Sequence, residues 1–346
     1  MSKELIEILL PDLPEYQKES EFLKRELRLV GKKVNHLENS PIPRNSVIYC
    51  NDINHWASRL LLSEPKSIIA IVACNEYYDK PVFEKVNNFP SLQCAFLEYL
   101  PAQNRAKLFG LALFALKNPR AISQRRFWGT LRIGFNNWRD CRNLSFRIPV
   151  FEFPLGYSER FVGELQELGS ISDSESSLFD IALPIKFKDR KLFSFFGQRG
   201  TWYRRFMIEY FQEKYGSFET YSGFGGNPGD YQGSSYATEL FSTKYVLNPP
   251  GNRSSLCARY FETIICGGIP VITEISIQCW INHNYWPAEI PWKHYDFKRM
   301  WKKLKVLDES SAMNVNNVLR NYSKTNLEQT RAKIENALNE TNAGLS

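Results

Sequence analysis

An α/β fold in two domains, each wound around a mainly parallel sheet, is what this sequence predicts, and three observations predict it. Short β-branched and aromatic runs alternate with longer amphipathic stretches, which is the pattern of βα units. The chain has 346 residues, beyond the roughly 250–300 at which a single hydrophobic core stops growing. Across residues 158–177 the composition turns to Ser, Glu and Gly with little apolar content. That shift marks an inter-domain region and sets the expected domains at 1–180 and 186–305, with a helical tail over 306–346.

The elements follow in order. Residues 17–38 are charge-rich, with Leu23, Leu27 and Val30 at helical spacing, and predict an amphipathic helix. Strands are expected at 46–50, 67–73, 94–99 and 146–153, where β-branched and aromatic residues run together. A helix is expected over 104–116, with Leu108, Leu111, Leu113, Phe114 and Leu116 as its apolar face. Residues 120–145 are basic and aromatic without a clear period, and Phe161, Val162 and Leu165 give a short helical pattern. A new first strand over 191–197 ends in a glycine turn, and a helix over 203–215 follows it. Gly223, Gly225, Gly226, Gly229 and Gly233 with Pro228 make 221–235 a long loop, and long loops inside compact domains are often functional. A strand at 245–247, a helix over 255–266, a strand at 269–273 and a polar helical tail over 308–339 complete the pattern.

Composition narrows the function. With 43% hydrophobic and 14% aromatic residues the chain is neither disordered nor fibrous. A formal charge of +7 suits anionic small molecules or an anionic membrane surface better than a DNA groove. The seven cysteines are odd in number and scattered, with no C-x-x-C, so they read as reduced thiols and not as a disulfide framework or zinc site. His283 and His294 have no cysteine partner at ligand spacing, and no metal site is expected. No apolar run approaches the about 20 residues that span a bilayer, and no signal-type segment is present. The expectation is a soluble, cytoplasmic protein, with peripheral contact at the inner face of a membrane allowed. The arginines 120, 125, 126, 132, 139 and 142, interleaved with Phe127, Trp128, Phe135 and Trp138, suit an anionic acceptor or a membrane surface, or else a solvated face with aromatic anchors into the core.

Chemistry concentrates in residues 244–273, where a strand runs into Pro249-Pro250-Gly251-Asn252-Arg253, then into Ser254 and Ser255 at a helix start. Either serine can cap that helix, whose free N–H groups and positive dipole end form an anion site beside the C-terminal edge of a strand. Arg253 and Arg259 add fixed charge, and a guanidinium fork suits two phosphate oxygens. Glu262 lies three residues after Arg259, on the same helix face, where a carboxylate accepts ribose hydroxyls. Phosphate donors and a diol acceptor on one face describe a nucleotide diphosphate site.

Pro-Pro-Gly, then Ser, then Arg259, then Phe261-Glu262, then Gly267-Gly268-Ile269-Pro270-Val271 resembles the C-terminal signature of exostosin-like glycosyltransferases. Thr263 stands where that family usually has Ala, and Gly268 where it has Cys. The resemblance reaches back to Phe195-Phe196-Gly197 and to Arg204 and Arg205, and covers about residues 190–300. It implies a GT-B arrangement of two Rossmann-like domains facing a cleft, with the C-terminal domain holding a nucleotide sugar and the N-terminal domain a glycan or lipid-linked glycan acceptor. The donor-binding residues implied are Gly197, Arg204, Arg205, Pro250, Gly251, Asn252, Arg253, Ser254, Ser255, Arg259 and Glu262. A UDP-sugar is favoured as donor, and no other cofactor is expected. Enzymes of this kind usually neutralise the leaving diphosphate with helix dipoles and cations, and no D-x-D triplet occurs.

An inverting reaction needs a general base. Asp52 and Glu76 each follow a predicted strand, where α/β sites collect, and His55 is a third candidate. The alternatives are a fucosyltransferase-like GT-B enzyme using a GDP-sugar, or a non-catalytic glycan- or nucleic-acid-binding protein. No recognised nucleic-acid module is present, and no nucleic-acid partner is expected.

Overall fold

The fold was determined as a computed structural model. It describes residues 5–13, 20–73, 85–98, 100–101, 115–123, 127–129, 132, 135, 139, 145–154, 156–172, 176–197, 202–216, 218–221, 235–249, 258–272, 281–282 and 297–343. The chain forms two compact units that are not contiguous halves. One comprises Met1–Pro101, Asp140–Glu159 and Lys324–Ser346, the other Ala102–Arg139 and Arg160–Ser323. Residues 102–139 and 160–180 therefore group with the C-terminal sequence, and the tail is divided between the two units. The sequence expectation of an uninterrupted first domain over 1–180 differs from this, because chain continuity does not fix which core a segment joins.

The strands of the first unit are β1 (Ile6–Pro11), β2 (Leu29–Val34), β3 (Ser46–Cys50), β4 (Ile68–Val72), β5 (Leu92–Leu97), β6 (Leu100–Pro101) and β7 (Val150–Glu152). Six of them form one sheet in the order β2-β1-β3-β4-β5-β7, with every pairing parallel. Parallel sheets are covered on both faces, and β4 reads Ile-Ile-Ala-Ile-Val with every residue buried. Helix α1 (Ser20–Phe22) continues as a π-helical turn over Leu23–Leu27, and α2 (Ala57–Leu62) follows β3.

The expected helix over 17–38 is corrected here. Residues 20–27 are helical, and Leu23 and Leu27 are buried as the spacing predicts, but Arg28 turns left-handed at φ 55° and the chain re-enters the sheet as β2, while 17–19 lie outside the described residues. The edge strand β2 then presents Lys32 and Lys33 to solvent, which protects an unpaired edge. The strand expected at 67–73 is shorter by one residue at each end, that at 94–99 is shifted two residues toward the N-terminus, and that at 146–153 is confined to Val150–Glu152. The helix expected at 104–116 lies outside the described residues except at 115–117, which are helical.

The second unit contains α3 (Pro119–Ile122), most of α4 (Glu159–Glu167), β8 (Lys191–Phe196), α5 (Trp202–Tyr215), β9 (Glu219–Tyr221), α6 (Tyr236–Phe241), β10 (Thr243–Leu247), α7 (Ala258–Ile265), β11 (Ile269–Val271), β12 (Ile281–Asn282) and α8 (Phe297–Leu304). Its sheet runs β11-β10-β8-β9, again all parallel. A boundary between the two units, Glu159 to Arg160, falls within the stretch 158–177, at the start of α4, whose Phe161, Val162 and Leu165 are buried. The tail forms α9 (Glu309–Ala343), of which Lys324 onward belongs to the first unit, where the Gln93 side chain donates to the Ala337 carbonyl at 3.1 Å. The glycine-rich loop lies outside the described residues from 222 to 234. Among the described residues no helix is long and apolar enough to cross a membrane. The result is a mixed α/β fold with parallel sheets and a general Rossmann-like architecture.

Cys50, Cys94 and Cys266 are buried free thiols, and burial pushes Cys94 up to about 12, with Glu340 adding to the shift. The thiolate is the reactive form. A thiol reagent at mildly alkaline pH should leave these three unmodified in the native protein and modify them in denaturant, as read by peptide mass spectrometry.

Candidate functional site

In the second unit the chain leaves β8 through α5 to β9 on one side, then returns through α6 to β10 on the other. Strand order therefore reverses between β8 and β10, and ligands of open α/β sheets bind outside the carboxyl ends of the strands at such a point. The residues found there are Gly197 after β8 and Asn248 after β10.

Gly197 has φ +125°, a conformation open essentially to glycine alone. A Cβ built on it would lie 2.5 Å from Nη2 of Arg259. The missing side chain thus lets the Arg259 guanidinium lie across the end of β8. There its Cζ sits 5.4 Å from the Phe195 ring centroid, a cation–π contact of about 1 kcal/mol, and Nη1 donates a long hydrogen bond of 3.5 Å to Asn248 Oδ1. Asn248 is fully buried, held by its own N–H donating to the Val271 carbonyl at 3.0 Å.

Glu262 lies one turn further along α7 and is 4% exposed. It is not the surface partner of Arg259 that i,i+3 spacing allows, because its Oε2 accepts from the Tyr236 hydroxyl at 2.7 Å. Tyr236 opens α6, and its ring meets Phe196 and Phe161 edge-on at 5.3 and 6.3 Å. Successive residues of a strand face opposite sides, so Phe195 carries Arg259 while Phe196 backs Tyr236. The buried carboxylate of Glu164 fixes α6 in turn, accepting from Ala237 N at 2.8 Å and from Arg160 Nε at 2.9 Å.

The far end of α7 is clamped. Gly267 is left-handed at φ +76°, and its N–H donates to the Ile264 carbonyl while that of Gly268 donates to Thr263, closing a Schellman cap. The remaining carbonyls are taken by long-range donors. Arg190 reaches Cys266 at 2.9 Å, Asn316 reaches Ile264 and Gly268 at 3.1 and 2.9 Å, and Arg320 reaches Ile264 and Ile265. Two cations at the negative end of the helix stabilise it. Burial pushes Arg190 down to about 10, which leaves it charged at neutral pH. This clamp positions the turn that carries Arg259 and Glu262.

Arg204 is half-buried and Arg205 exposed in the first turn of α5, which starts at the same edge of the sheet. Pro250, Gly251, Asn252, Arg253, Ser254 and Ser255 lie outside the described residues, as does Glu76. In the first unit the order 2-1-3-4-5-7 makes a second such reversal between β1 and β3, and Asp52 follows β3. Its carboxylate caps the next turn, accepting from Asn54 N at 3.0 Å, and faces Lys85 Nζ at 3.6 Å. His55 is half-buried with its ring 6.0 Å from that of His36. Among the described residues no three His, Cys, Asp or Glu side chains are grouped to hold a metal.

Sequence reasoning missed Asn248 and Tyr236. Asn248 had a signal, a polar residue directly after a strand, whereas Tyr236 meets Glu262 only through the fold. Comparisons with protein-family models, with curated proteins and with solved structures each return no match.

Proposed function

We propose that this protein is a glycosyltransferase that binds a nucleoside diphosphate sugar, favoured as a UDP-sugar, at the β8–β10 reversal of the second unit. The observation that carries the reading is the Arg259 guanidinium lying over Gly197, with Glu262 on the same helix. It is supported by the order of motifs from Pro250 to Val271. In this reading Arg259, with Arg204, Arg205, Arg253 and Ser255, balances the charge that grows on the diphosphate as it leaves. Glu262, oriented by the Tyr236 hydroxyl, accepts the ribose hydroxyls. The acceptor hydroxyl, from a glycan or lipid-linked glycan, forms the new bond to the anomeric carbon as the bond to the diphosphate oxygen breaks. If the reaction inverts, the proton of that hydroxyl passes to a base among Asp52, His55 and Glu76 in a GT-B arrangement.

The test is nucleotide release from UDP-, GDP- and CMP-sugars in the presence of mixed glycan acceptors. One donor class should be consumed by the wild type and not by Glu262→Ala. Consumption unaffected by Glu262→Ala would refute the site, and no consumption with any donor would count against the activity.

A further inference from the structure

Helix α8 has the sequence Phe297-Lys-Arg-Met-Trp-Lys-Lys-Leu304. Its apolar side is anchored, with Phe297, Met300 and Leu304 buried, the Phe297 ring against Phe206, Tyr210 and Phe211 of α5, and the Leu304 carbonyl accepting from the Tyr245 hydroxyl at 3.0 Å. Everything charged on it is cationic. Lys298, Arg299, Lys302, Lys303 and the following Lys305 stand in a stretch, 297–307, that contains no acidic residue, so five positive charges sit here in a chain whose net charge is +7. Lys298, Lys302 and Lys305 are exposed and make no ion pair among the described residues. At i, i+4 and i+7 they form one stripe about 10 Å long.

Helix stability does not account for this pattern. Cations near the C-terminus complement the dipole, but Lys298 and Arg299 stand in the first turn, where positive charge is unfavourable. Lys298 with Lys302, and Arg299 with Lys303, are like-charge i,i+4 pairs, which also destabilise a helix. The apolar side is committed to the unit's own core, so the helix is not free to insert into a bilayer or a partner's groove.

We infer that the lysine stripe of α8 docks the second unit on the surface of an anionic lipid bilayer. Lysine ammonium groups meet lipid phosphates by charge alone, and the exposed Val306 at the end of the stripe tolerates the interface. A nucleic-acid surface would add aromatic stacking and guanidinium forks. The one indole of this helix, Trp301, is instead packed against Phe193 and Tyr215. This inference stands independently of the donor-site reading.

The test is co-sedimentation of the full chain with vesicles of phosphatidylcholine alone and of phosphatidylcholine with phosphatidylglycerol, at low and high salt. The wild type should bind only the anionic vesicles and release at high salt. Each lysine near an anionic surface contributes about fivefold in affinity, so Lys298→Glu/Lys302→Glu/Lys305→Glu should bind about 100-fold more weakly or worse. The milder triple change to Gln serves if the reversal perturbs folding, which the thermal melt reads. Absence of binding, equal binding to neutral vesicles, or a triple variant that binds as the wild type does would overturn the inference. So would binding of a single-stranded RNA through the same lysines with none to vesicles.

Discussion

Gly267→Ala should lower the free energy of unfolding by about 3 kcal/mol, while Gly169→Ala lowers it by only about 1 kcal/mol. Both glycines are left-handed, at φ +76° and +64°, so both substitutions carry the same backbone strain. They differ in what a Cβ meets. At Gly169 nothing lies within 4 Å, whereas at Gly267 it would be 2.6 Å from Leu183 Cδ1 and 2.9 Å from Arg190 Nη2. Leu183 is partly exposed and gives way. Arg190 is held by the carbonyls of Ile185 and Cys266, and displacing a buried cation from its acceptors costs about 1.5–3 kcal/mol. Urea denaturation of the two variants measures the difference directly. Equal losses would show that Arg190 does not hold the end of α7 in place.

Arg259→Ala should reduce kcat/KM for the nucleotide sugar by about 100-fold or more while leaving the protein folded. Removing one preorganised donor from developing charge costs about 10²–10³ in rate. The contacts of the same side chain with the Phe195 ring and with Asn248 together contribute about 1–2 kcal/mol to folding. Arg259→Lys should restore charge but not the fork, and so recover only part of the loss. A steady-state assay with a melting curve for each variant checks this, and parallel loss of activity and melting temperature would assign Arg259 a structural role.

Much of the fold was legible because parallel strands advertise themselves. The runs at 46–50, 67–73 and 191–197 are rich in β-branched or aromatic residues, and they form the strands Ser46–Cys50, Ile68–Val72 and Lys191–Phe196. The segment 17–38 misled because a helical turn and a strand abut at Arg28, a residue that turns left-handed without the glycine that usually marks such a stop. Leu23 and Leu27 lie on the helical turns as their spacing predicts, whereas Val30, one period further, lies in the strand β2. At the candidate site, Arg259 and Glu262 were legible as a helix face. What fixes them was not. The Tyr236–Glu262, Glu164–Ala237 and Arg320–Ile264 hydrogen bonds join residues 26, 73 and 56 positions apart, and no local pattern encodes such pairings. Gly197 was legible as a turn and, through the resemblance, as a donor-site position, while its use, giving room to a guanidinium from another element, is a property of the assembled sheet edge.

The central claim is that the β8–β10 reversal binds a nucleoside diphosphate, and the most direct measurement is the melting temperature of the folded chain with UDP, GDP and CMP. A ligand that binds only the native state stabilises it by mass action, by about 2.7 kcal/mol at a hundredfold excess over Kd. UDP should raise the melting temperature of the wild type and leave Arg259→Ala unmoved, and a response to GDP alone would transfer the same site to a guanine nucleotide donor. No response to any of the three, or a response that Arg259→Ala retains in full, would contradict the account.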